Sequence, residues 1–393
     1  MPGSVIVSTA RTPIGKMQGA FASMRATDLG GIAIKAALER AGVAGDDVDY
    51  VIMGQVLQAG QGQITARQAA SNAGVGMHVP ANTINKVCLS GLNAVYMADQ
   101  MIAAGDADIV VAGGMESMTN APYLLPGARA GYRMGNGELI DSMINDGLWC
   151  AFDACHMGAG TQRYADADSI AREAQDEVAA KSHQRAAQAQ AEGRFANEIV
   201  PVAVPQRRGD PVIVSEDEGV RGATTADSLG QLRPAFAKDG TITAGNASQI
   251  SDGASATIVM SRAKADELGI SPMAEVISYG MVAGPDPSLL TQPSRAIMQA
   301  ADKVGMSTGE IDLFELNEAF AAVGLASMAQ LDIKDDIVNV NGGAIALGHP
   351  VGASGNRVLV TLINELIRRG GGTGAAALCG GGGQGDAIII RTV

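Results

Sequence analysis

Cys88 stands in the run Ile84-Asn-Lys-Val-Cys-Leu-Ser-Gly91. Residues 80–87 read as an extended, mostly buried segment. Leu92, Val95, Tyr96 and Ile102 then recur at helical spacing, with Ser90 as N-cap and Gly105 as stop. This predicts a strand-to-helix turn at Cys88. Helix N–H dipoles at such a turn favour thiolate, the nucleophilic form of cysteine. A buried, inert cysteine is the competing reading. His349, one of four histidines, lies in Asn341-Gly-Gly-Ala-Ile-Ala-Leu-Gly-His-Pro-Val-Gly-Ala-Ser-Gly355. Small neighbours leave its imidazole room to meet a ligand and a second side chain, and Pro350 fixes the chain after it. The plain alternative is a histidine bonded to a carbonyl at a helix start. Cys379 ends a strand and opens the run Gly380 to Gly383, whose backbone N–H groups could face an anion. Asn317, in Glu315-Leu-Asn-Glu-Ala-Phe320, could orient a water or an oxyanion, or merely cap a strand end.

The elements that would position these residues alternate. Residues 4–8 read as a strand, 11–15 as a polar turn, 27–40 as a helix ended by Gly42, and 48–54 as a buried strand. A helix over 64–74, the Cys88 unit and a strand over 109–114 follow. Strands alternating with helices predict a mostly parallel, covered sheet. Residues 119–248 change texture, mixing Gly, Pro, Met and charge around one long helix at 169–192. Strand text resumes at 254–260, and alternation returns over 272–393.

That return is a repeat. A shift of 263 residues lays Ala33-Ile34 on Ala296-Ile297, Gly42 on Gly305, Asp49 on Asp312 and Gly54 on Asn317, without a gap. More loosely, residues 82–92 echo 338–355. The reading is α/β: two duplicated halves with mostly parallel or mixed sheets and an inserted loop domain. Residues 1–118, completed by 249–271, form the first half, 119–248 the insertion, and 272–393 the second half. Ligands in such sheets bind beyond the carboxyl ends of strands, where Cys88, Asn317, His349 and Cys379 all fall.

The chain's 393 residues, 47% hydrophobic with mean hydropathy +0.13, allow a large core. A net charge of −13 argues against nucleic acid and anionic membranes as partners. No signal peptide and no membrane-spanning run is legible. Four cysteines in so long a chain make no disulfide framework, which fits a reducing cytoplasm. Cys150, Cys155 and His156 lie close together, but no second ligand pair follows at a zinc spacing, so no metal is expected.

In combination, the reactive turns resemble the thiolase family, which condenses and cleaves 3-ketoacyl-CoA. The matching text covers nearly the whole chain: Arg11-Thr-Pro-Ile-Gly, Asn85-Lys-Val-Cys-Leu-Ser-Gly, Gly113-Gly-Met-Glu-Ser-Met, Gly245-Asn-Ala-Ser, Asp252-Gly-Ala, Asn317-Glu-Ala-Phe, Gly348-His-Pro and Cys379-Gly-Gly-Gly. The resemblance implies a thiolase-like fold and the reversible conversion of two acetyl-CoA to acetoacetyl-CoA plus CoA. Cys88 resembles the nucleophile that takes the acyl group. His349 resembles its activating base, and Cys379 the acid/base for the second acetyl methyl. Asn317 resembles the residue holding an oxyanion-site water. The amides of Cys88 and Gly381 resemble the other oxyanion hole. A sulfur nucleophile splits acyl transfer into two steps, and fixed donors meet the developing oxygen charge.

The resemblance also implies substrate contacts. His156 and Met157 match a pantetheine-loop motif. Arg221, Ser228 and Ser248 fall where the family holds CoA. Leu148, Phe236, Ala244, Ala319 and Phe320 would line the tunnel. Arg207, Arg208, Arg233 and Lys238 concentrate positive charge here, as a polyanionic CoA requires, although Arg207 and Arg208 read equally well as a solvated turn before Gly209. No cofactor is implied, since the coenzyme A thioester is the substrate. A homotetramer, a dimer of dimers, is implied, with Tyr132-Arg-Met-Gly135 resembling a tetramerisation loop. Ala159-Gly-Thr-Gln162, Gln249 and Leu289-Leu-Thr-Gln-Pro293 depart from the family's usual text. These departures bear on acyl-chain preference more than on chemistry. A degradative thiolase of broader chain length is the alternative. Ketoacyl synthases share the duplicated fold but use His where this chain has Asn317 and Cys379.

Overall fold

The structure, a computed structural model, describes residues 4–393. The first-half strands are β1 (Ser4–Arg11), β2 (Tyr50–Gly54), β3 (Ala81–Ile84) and β4 (Ile109–Ser117). The hairpin strands β5 (Trp149–Cys150) and β6 (Cys155–His156) follow. Then come β7 (Ser251–Ser261), β8 (Ala274–Ala283), β9 (Leu313–Leu316), β10 (Thr373–Gly380) and β11 (Gln384–Thr392). The helices that matter here are α1 (Ala26–Ala41), α2 (Thr65–Asn72), α3 (Ser90–Ala104), α4 (Met157–Ala167), α5 (Arg172–Ala191), α6 (Gln292–Asp302), α7 (Ala321–Leu331) and α8 (Val351–Arg368).

One sheet runs in the order β9-β10-β11-β8-β1-β7-β4-β2-β3. Its two ends mirror each other. Outward from β1 the order is β7, β4, β2, β3; outward from β8 it is β11, β10, β9, with a parallel bridge from Phe314 to Val338 in the place of β3. In the first half β2 pairs parallel with β4, from Tyr50 opposite Val110 to Gly54 opposite Gly114. In the second, β9 pairs parallel with β10, from Leu313 opposite Gly374 to Leu316 opposite Ala377. Even the irregularities repeat: the ladder slips between Ile6 and Ser8 in β1, and between Val276 and Ser278 in β8. The repeat at a shift of 263 is therefore a repeat of topology.

The sheet is mixed, with a smaller parallel share than alternation suggested. β7 runs antiparallel to both β1 and β4, and β11 antiparallel to both β8 and β10. A late strand from beyond the insertion slots between early ones, which sequential alternation cannot reveal.

Strand alternation divides the core into layers. Val5 and Val7 face α1 and α2, together with Val51, Val111 and Ile258. Ile6, Ile52, Val110 and Val259 face the opposite way, onto α3 and α8. Ala376, Leu378, Ile388 and Ile390 of the second half meet the same two helices. Their alternates Ala375, Ala377 and Ile389 pack on α6. So α3 and α8 lie between two sheet regions, with helices outside each. α8 is buried from Val351 to Ile363, the signature of a central helix. The two helices touch through glycines: a Cβ at Gly91 would lie 2.7 Å from the Asn356 amide. This contact brings their N-termini, and hence Cys88 and His349, together.

Residues 119–248 add helices and two-stranded ribbons, none of which joins the main sheet ladder. The long helix occupies 172–191, and α4 before it went unread in the sequence. The insertion is tied to β1 by Arg11, whose guanidinium holds Glu198 at 2.7 Å and Asp217 at 2.7 and 2.9 Å, all buried.

Candidate active site

Val87 carries a positive φ of 52°, a strained conformation for a β-branched residue, and Cys88 follows it. The Ser90 hydroxyl braces this turn, accepting from Lys86 N at 2.8 Å and donating to Val87 O at 2.6 Å. Ser90 is thus the first residue of α3 and a turn brace, not the expected N-cap. The segment before it is also less buried than expected, since β3 is half-exposed along its length.

Cys88 Sγ lies 3.2 Å from His349 Nε2. His349 Nδ1 lies 2.6 Å from Ser354 Oγ, whose own proton goes to the Pro350 carbonyl at 2.9 Å. That commitment makes Ser354 the acceptor from Nδ1–H, and leaves the Nε2 lone pair facing the thiol. The His349 backbone N–H is shared between Gln249 O at 3.1 Å and Ser251 Oγ at 3.2 Å. Burial, helped by the Arg357 guanidinium, pushes His349 down to about 3. Burial pushes the Cys88 thiol up to about 12, against backbone hydrogen bonding and with the Glu116 carboxylate adding to the rise. The resting pair is therefore neutral thiol and neutral imidazole. The expected thiolate is not favoured, because desolvation outweighs the helix N–H groups.

Asn317 follows β9 and is fully buried. Its amide nitrogen lies 3.5 Å from His349 Nδ1, and its Oδ1 has no partner among the described residues. Cys379, near the end of β10, is 1% exposed. It sits in an apolar cluster with Leu289, Ala319 and Phe320. Burial, then the nearby Cys88, raises its thiol above the ordinary range. Cys88, His349, Cys379 and Gly381 all line one cavity of about 510 Å³. It can present two sulfurs, an imidazole and backbone amides to one ligand.

Residues 4–263 match the thiolase N-terminal domain and 270–392 the thiolase C-terminal domain. The chain belongs to the thiolase family. A probable acetyl-CoA acetyltransferase of Mycobacterium tuberculosis is 56% identical over 391 residues, covering all of both chains. The acetyl-CoA acetyltransferase of Cupriavidus necator is 53% identical over 392 residues, again covering all of both. The crystal structure of the Bacillus anthracis acetyl-CoA acetyltransferase superposes with a TM-score of 0.97 at 40% identity, over 100% of this chain and 99% of that one.

In this thiolase the cavity wall also includes Leu148, His156, Met157, Arg221, Phe236, Ala244, Ser248, Ala319 and Phe320. His156 caps α4, accepting from Gly158 N at 3.1 Å, and stacks on Phe236 with ring centroids 4.9 Å apart. Phe236 meets Phe320 edge-on at 6.4 Å. Two expected residues are not on the wall. Asn317 lies behind His349. Ser228 is exposed and closes a capping box with Thr225, their side chains and amides bonding at 3.0 and 3.1 Å. Arg207, Arg208, Arg233 and Lys238 are exposed and off the wall; the cations on it are Arg221 and Lys16.

Ser354 and Glu116 went unread as site residues. Ser354 shows no spacing signal, because its role depends on the first turn of α8 folding back on His349. Glu116 did carry a signal: it is a carboxylate inside the wholly buried strand β4. It accepts from Val56 N, Leu57 N and Gly352 N at 2.9, 3.2 and 3.0 Å. That ties the turn after β2 to the start of α8, and burial pushes the carboxyl up to about 7. Among the described residues no group of three or more His, Cys, Asp or Glu side chains is placed to hold a metal.

Proposed function

We propose that this thiolase is an acetyl-CoA C-acetyltransferase, joining two acetyl-CoA into acetoacetyl-CoA and CoA, reversibly, through an acetyl group on Cys88. The full-length relatives named for that activity support the reaction. The 3.2 Å contact of Cys88 Sγ with His349 Nε2 on the wall of an apolar cavity carries the mechanism.

In the first half-reaction Cys88 sulfur attacks the thioester carbonyl and its proton passes to His349 Nε2. The departing CoA sulfur takes the Cys379 proton. Cys379 thiolate then removes a proton from the methyl of a second acetyl-CoA. The enolate oxygen faces imidazolium His349 and a water held by Asn317, whose unpartnered Oδ1 suits that task. The carbanion attacks acetyl-Cys88, and the amides of Cys88 and Gly381 meet the tetrahedral oxygen. Cys88 leaves and recovers its proton from His349, so every proton is returned. The burial that raises Cys379 makes it a strong base once ionised.

Arg221 and Lys16 at the cavity meet the polyanionic CoA, and Ser248, His156 and Phe236 flank its pantetheine arm. Coenzyme A thioesters serve as substrate, and the scheme calls for no prosthetic group. Exposed Tyr123, Leu125, Met134 and Leu139 support a homotetramer built through residues 119–139. No helix among the described residues is long and apolar enough to cross a membrane; a cytoplasmic site of action is part of the proposal. The test is CoA-dependent cleavage of acetoacetyl-CoA before and after iodoacetamide modification mapped to Cys88. Activity should vanish with that adduct; activity persisting at full Cys88 modification overturns the proposal.

A further inference from the structure

Cys150 and Cys155 belong to none of the steps above. They face each other as direct partners across the antiparallel hairpin β5–β6, with Trp149 opposite His156 beside them. Both are free thiols. Directly opposed residues of an antiparallel pair project to the same face, with Cα atoms about 4.5–5.5 Å apart. A disulfide needs roughly 4.4–6.8 Å. The pairing thus sets the two Cα atoms within the range that a disulfide spans. Their surroundings differ. Cys150 is buried and its sulfur accepts from Asp153 N at 3.4 Å. Cys155 is half-exposed, and Arg163 Nη2 lies 3.5 Å from its sulfur. Arg163 is also paired with Asp153 Oδ2 at 2.9 Å, so it is exposure that makes Cys155 the sulfur a reagent reaches, with buried Cys150 as the resolving thiol.

We propose that Cys150 and Cys155 form a reversible disulfide by exchange with a low-molecular-weight disulfide. Cys155 sulfur attacks the reagent's S–S bond, forming a mixed disulfide and releasing one thiol. Cys150 sulfur then attacks Cys155 sulfur, closing the protein bond and releasing the second thiol. Two protein thiols are oxidised, one external disulfide is reduced to two thiols, and both protons leave with the products. The bond closes the loop end of a hairpin whose flanks, Leu148, His156 and Met157, are cavity wall, so oxidation restrains the strands that carry that wall.

The full-length protein is equilibrated with glutathione disulfide, trapped with iodoacetamide and mapped by mass spectrometry. The peptide holding residues 150–155 should be lighter by two hydrogens and lose at least nine-tenths of its alkylation, and dithiothreitol should restore both. In Cys150→Ala, Cys155 should accumulate as the glutathione adduct. In Cys155→Ala, Cys150 should stay reduced at matched exposure. Alkylation of both cysteines undiminished in oxidised wild type, or pairing of either with Cys88 or Cys379, overturns the proposal. So does a Cys150→Ala protein that carries no adduct at Cys155.

Discussion

Replacing Ser354 with alanine removes the only side-chain acceptor that, among the described residues, pairs with His349 Nδ1 at ordinary hydrogen-bond distance, 2.6 Å. Ser354 is 1% exposed, so bulk water does not take its place. In the resting enzyme the loss strands a buried N–H, at a cost of about 1–3 kcal/mol. The step that matters costs more. When Cys88 gives its proton to Nε2, the bond at Nδ1 becomes charge-assisted, and such bonds contribute about 1.5–3 kcal/mol. Only the excess over the neutral bond lost at rest, about 1–1.5 kcal/mol, enters the barrier, so at about 1.36 kcal/mol per tenfold acetylation should slow roughly 5- to 13-fold. The neutral ring also loses the contact that keeps the Nε2 lone pair on the thiol, which adds in the same direction. The cavity wall is untouched, so the KM for acetyl-CoA should hold within about twofold. The assay is single-turnover acetylation, followed as the acetyl adduct on the Cys88 peptide, with circular dichroism to confirm that α8 is intact. A folded variant that acetylates within twofold of the parent rate would refute both the tautomer and the positioning role.

In Cys379→Ala, which lacks the proton given to departing CoA, acetylation of Cys88 should be slower yet still complete as a single turnover, while exchange of acetyl-methyl tritium with solvent is lost; preserved exchange would move that proton to another group, His349 first. With Cys88 pushed up to about 12, its thiolate fraction in the free enzyme grows tenfold per pH unit. Iodoacetamide labelling mapped to Cys88 should therefore climb steadily from pH 6 to pH 9, and a plateau near neutrality would mean a standing thiolate–imidazolium pair. Arg11→Met strands Glu198 and Asp217 in the core, so denaturant melts should report a loss of about 3–5 kcal/mol, and a change under 1 kcal/mol would refute the pinning role.

The duplication was legible because matched glycines and apolar positions survive at one shift, and the structure places β2 and β9 at mirrored positions in the sheet. Strand direction was not legible, since β7 enters from 251–261 and nothing local says which neighbours it will find. The turns proposed as catalytic stood out for a physical reason, since reactive side chains beside glycines at strand ends leave few structural uses, and Cys88, His349, Cys379 and Gly381 do meet at one cavity. Ser90 misled because a serine at a helix start usually caps, whereas this turn, strained at Val87, recruits the hydroxyl backwards. Ser228 shows the converse, a polar residue whose local capping box satisfies it completely.

The Cys88 position sets two forces against each other. The start of α3 offers N–H groups that favour a negative sulfur, and the apolar shell of Val56, Leu57, Met118, Met143 and Val351 around Cys88 opposes it. Burial wins at rest, and Arg357 beneath His349 disfavours imidazolium as well. With the Cys88 thiol pushed up and the His349 imidazole pushed down by the same burial, the neutral pair is the favoured one at rest. A pair so far from ionising cannot hold a standing nucleophile. The proton must leave Cys88 as its bond to the acyl carbon forms, when negative charge is moving off sulfur onto an oxygen that amides can meet. The strained turn, the Ser354 contact and the buried Glu116 clamp then have a common purpose. They hold sulfur, imidazole and amides in place so that the charge need never rest on sulfur alone.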